Sequence, residues 1–205
     1  MPNSIKIGLI DDDSAVLDSL SQFFATRAVR TTCFGAAEEF LGALDNSVEF
    51  DCVVADVRMP KMSGLDLVRQ LKAREFASPV ILITGHGDVD MAVRAIKDGA
   101  YDFLEKPFDE NRLLASIQDA VARMREKKCA DIELAQLRSR VNSLSPRQRQ
   151  VMELAAAGLS SKEIGTRLNI SAKTVENHRA WLMERVGARN LADLVRISMR
   201  AQQRT

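Results

Sequence analysis

Three short apolar runs in this chain each stop dead at a polar residue. IKIGLI (5–10) ends at Asp11-Asp12-Asp13, CVVA (52–55) ends at Asp56, and PVILI (79–83) ends at Thr84. Runs this short and this rich in β-branched residues read as strands buried on both faces of a parallel sheet. The stretches between them have helical spacing. SAVLDSLSQFFATR places Val16, Leu17, Leu20, Phe23 and Phe24 three and four apart. GLDLVRQLKAR carries Leu65, Leu67, Val68 and Leu71. DVDMAVRAIKDGA carries Val89, Val93 and Ile96, with Gly99 as a stop, and NRLLASIQDAVARM closes the region. Strands alternating with helices at this pitch predict an α/β doubly wound sheet, whose sites form at the C-terminal strand ends. The acids and Thr84 stand at those ends, with Asp13 predicted to be a helix cap or turn residue.

From Leu144 onward every signal is helical. Ser145-Pro146 is an N-cap followed by proline at the first helical position. Gly158 ends that helix, Ser161 starts a short one, and Asn169-Ile170-Ser171 is a turn. Ser171 caps AKTVENHRAWLMERV, which Gly187 stops, and Asn190 caps a last helix. A short helix, a tight turn and a longer helix predict an all-α helix-turn-helix domain over 144–205. Residues 123–143 are charged and free of Pro and Gly, with Ile132, Leu134, Leu137 and Val141 among polar neighbours. They predict a helical linker with a narrow apolar seam.

The net charge of +1 hides a division. Residues 1–122 hold 12 Lys+Arg against 20 Asp+Glu, a balance of −8; residues 123–205 hold 17 against 8, a balance of +9. An acidic half points to a cation or regulatory site, and a basic half to a polyanion. No apolar run approaches the ~18 residues that span a bilayer, and the N-terminus lacks a signal-peptide pattern. Cys33, Cys52 and Cys129 have neither disulfide nor zinc spacing. These features predict a cytoplasmic protein with free thiols and no membrane partner. Walker A, GxSxG and zinc patterns are absent from the sequence, so no enzyme acting on a separate substrate is expected.

Carboxylates converging at strand ends repel one another and call for a hard cation such as Mg²⁺. Phosphoryl transfer to a carboxylate needs its equatorial oxygens neutralised, by a metal, a lysine and a hydroxyl donor. Lys106 and Thr84 can supply the last two. The elements IDDD (10–13), DVRMPKMSGL (56–65), TGHGD (84–88) and EKPF (105–108), in this order, resemble a response-regulator receiver domain over 1–122, of flavodoxin-like fold. The resemblance implies Asp56 as phosphoryl acceptor and Asp11, Asp12 and the Arg58 backbone carbonyl as further Mg²⁺ ligands, with Asp12 nearer the metal. It implies Thr84 and Lys106 on the phosphoryl oxygens, Phe103 as the switch aromatic, and a cis Lys106–Pro107 peptide. His86 would tune the phosphoryl lifetime and bind no metal; Tyr101 and Phe108 would be packing residues. Phosphorylation would draw Thr84 inward, let Phe103 fill the space, and reshape a dimer face at Val93 and Lys97.

LSPRQRQVM, GLSSKEIG and ISAKTVENH resemble the four-helix output domain of the NarL/FixJ (LuxR-type) regulators, and the whole chain looks most like FixJ-type members. Helical geometry alone puts Val175, Leu182 and Val186 on one face of the third helix, and Lys173, Asn177, Ala180 and Glu184 opposite. The resemblance implies base reading by Glu176, Asn177 and Ala180. Lys173, Thr174, His178, Arg179 and Lys162 would contact phosphates. Trp181 is expected to pack. The implied function is transcription regulation, in the direction of activation. A sensor histidine kinase would phosphorylate the chain, which would then form a homodimer on double-stranded promoter DNA and act on RNA polymerase.

Overall fold

The computed structural model describes residues 4–85 and 89–202. The expectation for His86 therefore lies outside the described residues. The chain forms two compact units, Met1–Glu126 and Lys127–Thr205.

In the first unit, β1 (Ile5–Ile10), β2 (Val29–Phe34), β3 (Cys52–Asp56), β4 (Val80–Thr84) and β5 (Asp102–Glu105) form a parallel sheet in the order β2-β1-β3-β4-β5. Every residue of β3 and β4 is buried, as expected of strands covered on both faces. The edge strand β2 is different. Arg30, Thr32 and Cys33 are exposed, so its sequence lacks the apolar run that marks the interior strands. The strand order reverses between β1 and β3, and the crevice beyond that switch point is where open α/β sheets bind ligands.

Two cores sandwich the sheet. On one face, α1 (Ser14–Ala25) and α5 (Glu110–Asn142) pack Leu20, Phe24, Leu113 and Ile117 against Ile7, Leu9 and Ile81. On the other, α2 (Ala37–Asp45), α3 (Gly64–Ala73) and α4 (Val89–Asp98) cover Ile10, Val53 and Leu82. Phe40, fully buried, meets Phe34 edge-on with ring centres 5.4 Å apart. Asp13 caps α1 by accepting from Ala15 N at 2.9 Å. Tyr101 and Phe108 pack against the α1–α5 core as expected.

The spaced apolar residues of α4 lie on its outer face. Val89, Val93 and Ile96 are 79%, 46% and 49% exposed. The helix instead buries Ala95 and half-buries Met91 and Ala92. Small side chains let α4 sit close to α3 and β5, and the large ones are left outside.

α5 continues unbroken through 123–142. Its apolar seam is narrower than the sequence implied. Ile132 is 50% exposed, while Leu134 and Leu137 are half-buried and Val141 is buried in the second unit's core. At about 100° per residue Ile132 falls on the side opposite these three.

The second unit packs α6 (Pro146–Ala156), α7 (Ser161–Leu168), α8 (Ala172–Val186) and α9 (Leu191–Gln202) around Val151, Ile164, Val175, Leu182 and Leu194. Ser145 with Gln148 and Ser160 with Glu163 form capping boxes that start α6 and α7. Asn169 ends α7 in the left-handed conformation at φ 53°. Gly165 lets the turn close: a Cβ there would stand 2.7 Å from the Ile170 carbonyl oxygen. Arg147 reaches from α6 to the Leu168 carbonyl and ties α6 to the end of α7.

Cys33 and Cys129 are exposed, and all three cysteines are free thiols. Burial pushes the Cys52 thiol up to about 12. Among the described residues no helix is long and apolar enough to cross a membrane.

Candidate functional site

Four strand ends meet at one polar pocket. Asp11 follows β1, Asp56 ends β3, Thr84 ends β4, and Lys106 follows β5. Asp11, Asp56 and Thr84 are all at least nine-tenths buried. Lys106 Nζ donates to Asp11 Oδ2 at 2.9 Å and to Asp56 Oδ1 at 2.8 Å, so one ammonium holds both carboxylates. Its backbone N donates to the Thr84 carbonyl at 2.7 Å, which registers the lysine against the end of β4. The Lys106–Pro107 peptide is cis. Partial burial works against the ammonium charge, but the hydrogen bonds and charges of Asp56 and Asp11 outweigh it and hold the Lys106 pKa above its ordinary value.

The second oxygen of each carboxylate is taken by backbone. Asp56 Oδ2 accepts from Arg58 N at 2.6 Å, and Asp11 Oδ1 accepts from Asp13 N at 2.9 Å. These bonds fix both carboxylates, and with Lys106 they leave no buried side-chain polar atom unsatisfied among the described residues.

Asp12 is exposed. Among the described residues no three acidic, histidine or cysteine side chains come together as a metal-holding group. Lys106 places its ammonium between Asp11 and Asp56. The donor chemistry still suits a hard divalent cation, since Asp11 and Asp56 are hard oxygen donors and outnumber the one ammonium between them.

Gly64 stands where no side chain fits. A Cβ at Gly64 would stand 2.3 Å from the Asp56 carbonyl oxygen. The N-terminus of α3 thus packs directly on the backbone of Asp56, and Gly64 N donates to the Val57 carbonyl at 3.0 Å. No signal in a single sequence announces such an approach.

Phe103 is half-buried against the α2–α4 core, and Val93 and Lys97 are exposed on α4.

In the second unit α8 sorts its residues as the angles predicted. Val175, Leu182 and Val186 are buried; Lys173, Asn177, Ala180 and Glu184 are exposed, with Thr174 and Glu176 beside them. Ser171 caps the helix by accepting from Thr174 N at 3.0 Å. Lys173 Nζ lies 3.6 Å from Glu176 Oε2, an exposed pair of little energetic weight. His178 and Arg179 are half-buried, and Arg179 donates to Ser161 Oγ at 3.4 Å, which links α8 to α7. Lys162 is exposed on α7, beside an open groove of about 450 Å³ at the α7–α8 turn. Trp181 corrects the sequence reading. It is 41% exposed, and the Arg185 guanidinium carbon sits 5.7 Å from its ring centre. The helix flank that was to pack it faces water.

Comparison with known proteins agrees with both units. Residues 7–118 match the response regulator receiver domain, and residues 142–198 match the bacterial regulatory proteins of the luxR family. The chain is 45% identical over 195 residues to transcriptional regulatory protein FixJ of Bradyrhizobium diazoefficiens, covering 95% of each chain. It is 40% identical to response regulator protein TodT of Pseudomonas putida, over 95% of this chain and 85% of that one. The structure of response regulator StyR superimposes with a TM-score of 0.82 at 36% identity, covering 96% of this chain and 98% of that one. Full-length FixJ from B. japonicum gives 0.62 at 44% identity, covering 98% of both. A receiver domain implies a histidine kinase as partner, and a luxR-type domain implies DNA. The chain belongs to the response regulators, as a transcription regulator that joins a receiver domain to a LuxR-type DNA-binding domain.

Proposed function

We propose that Asp56 accepts the phosphoryl group from a sensor histidine kinase, and that this controls promoter binding by α8. The observation that carries the reading is the Lys106 ammonium, held 2.8 Å from one Asp56 oxygen and 2.9 Å from Asp11. An Asp56 oxygen attacks phosphorus, the bond from phosphorus to the kinase histidine nitrogen breaks, and the imidazole leaves with a proton. Lys106 and the Thr84 hydroxyl then bind the phosphoryl oxygens. Asp11, Asp12, Asp56 and the Arg58 backbone carbonyl would hold Mg²⁺, which supplies charge neutralisation to the transferring group. Receiver domains generally bind Mg²⁺ for phosphorylation.

The phosphoryl group brings a charge of about −1.5 to −2 beside Thr84 and Lys106. Thr84 turns toward it, and Phe103 moves into the space that Thr84 vacates. The exposed stripe of α4, with Val93 and Lys97, then pairs with a second copy. An exposed apolar row on a helix is what such pairing would cover. Dimerisation puts two α8 helices on two half-sites of double-stranded promoter DNA, as one helix-turn-helix gives limited specificity. Glu176, Asn177 and Ala180 read base edges, while Lys162, Lys173, Thr174, His178 and Arg179 contact phosphates. The bound dimer activates transcription through RNA polymerase, in the cytoplasm.

The test uses the full chain, a small-molecule phosphodonor and Mg²⁺. Wild type gains a hydroxylamine-labile phosphoprotein band and binds a two-half-site duplex at least about tenfold tighter, while Asp56→Asn gains neither. Equal phosphorylation of Asp56→Asn would falsify the assignment of the acceptor.

A further inference from the structure

The exposed indole of Trp181 has chemistry that the reading of α8 does not use. It is the only tryptophan of the chain, and it stands on the basic half. Asn177, Trp181 and Arg185 follow one another four residues apart on α8. At about 100° per residue each step turns ~40° around the helix. The row therefore starts on the exposed face opposite Val175 and winds off toward one flank. A helix lying in a groove presents such a row first to the groove floor and then to its wall. The wall of a DNA groove is sugar and phosphate.

The two side chains suit that wall. An indole N–H donates and does not accept, and its ring is a flat apolar surface. Arg185 carries five donors in a planar fork that matches phosphate oxygens. The guanidinium carbon lies 5.7 Å from the indole centre, within cation–π range, so each side chain limits the other's freedom before any partner arrives. Both residues are exposed, and an apolar partner would leave the Arg185 charge uncompensated.

We propose that Trp181 and Arg185 form a clamp on the DNA backbone at the edge of α8. The indole lies on a deoxyribose and donates Nε1–H to a phosphate oxygen, and Arg185 takes a neighbouring phosphate. This rests on the reading that α8 enters the major groove.

A single tryptophan makes its fluorescence a direct probe. The full chain, treated with phosphodonor and Mg²⁺, is mixed with a short random-sequence DNA duplex at low salt, and acrylamide quenching is measured. The duplex is expected to lower the quenching constant at least about twofold. Trp181→Ala is expected to bind about tenfold more weakly, with Trp181→Phe between the two, because the ring remains and the N–H donor is lost. Arg185→Gln is expected to reduce the slope of log affinity against log salt by about 0.9, one phosphate's worth. Thermal melts establish that the variants are folded. Arg185→Gln and Trp181→Phe keep the test alive if Trp181→Ala is not.

Lys173→Ala separates the two readings. Suppose it weakens binding while Trp181 stays as accessible with DNA as without, and the Trp181 and Arg185 variants bind like wild type. The clamp is then overturned, and DNA binding by α8 stands. If Lys173→Ala and Asn177→Ala also bind like wild type, both readings fall. If Trp181 becomes shielded with rising protein concentration in the absence of DNA, and DNA adds nothing, a second copy covers it and the clamp is wrong.

Discussion

The pocket of the first unit and the α8 face of the second are built in opposite ways. The pocket takes its residues from four strand ends, up to 95 residues apart in sequence, and buries them. The α8 face takes its residues from one helix within a few turns and leaves them in water. In the pocket every group is held by another: Lys106 by two carboxylates, Asp56 by Lys106 and Arg58 N. On α8 the exposed groups are held by the helix itself, and the buried row of Val175, Leu182 and Val186 fixes their direction. A buried polar cluster is therefore sensitive to the loss of any one member, whereas a solvated face tolerates such losses and changes only what it binds.

The largest effects are expected at two glycines. A Cβ at Gly64 would meet the Asp56 carbonyl oxygen at 2.3 Å, and one at Gly165 would meet the Ile170 carbonyl oxygen at 2.7 Å. In both cases the obstacle is backbone. Gly64→Ala is expected to destabilise the first unit by about 3 kcal/mol and to abolish phosphorylation, and Gly165→Ala to destabilise the second by about 2–3 kcal/mol. Urea unfolding followed by amide hydrogen exchange would resolve the units. Equal loss of protection in both units after either change would show that they do not fold separately.

A smaller effect is expected at Lys106. Lys106→Met leaves Asp11 and Asp56 buried without their cation, at a cost of about 2 kcal/mol, below the range for a fully buried pair because the lysine side chain is 27% exposed. The sign with pH follows from the raised lysine pKa. The contribution is fully present below the unfolded value of about 10.4 and is lost as pH rises through the higher folded value. The stability gap between wild type and Lys106→Met should thus hold from neutral pH to about 10 and close above it. A gap that closed near neutrality would contradict the geometry.

Least costly is the cap of α7. Ser160→Ala removes the hydroxyl that accepts from Glu163 N at 3.3 Å and is expected to cost about 1 kcal/mol in the second unit alone. Ser160→Asp should recover most of it, read by the same unfolding curves.

Much of this was legible because short runs and caps are local signals. β1, β3 and β4 end within a residue of the polar positions that marked them, and Ser145, Ser171 and Gly187 start and stop their helices as read. The edge strand β2 was not legible, since Arg30, Thr32 and Cys33 face water and break the apolar run. Which face of α4 meets the core was not legible either. Periodicity reports that Val89, Val93 and Ile96 share a side of the helix and is silent on whether core or solvent lies there. For the pocket, residue types and order pointed to Asp11, Asp56, Thr84 and Lys106. That Lys106 takes up the space between two acids, with Asp12 left outside, is a fact of three dimensions. Trp181 was misread because large aromatics are usually buried, whereas here it stays 41% exposed on the helix flank.

The loop after Asp56 is closed by main-chain groups. Val57 N donates to the Ile83 carbonyl, Met62 N to that of Pro60, and Gly64 N to that of Val57. The shape around the acceptor is therefore indifferent to what Arg58 carries beyond its backbone, and Arg58 and Lys61 both stand in solvent. The residue at 58 can therefore be exchanged with no rebuilding of the acceptor's backbone beneath. Position 61 is more constrained, because its φ of 65° excludes β-branched residues. The loop keeps its form while the side chain it shows to solvent at 58 is free to change.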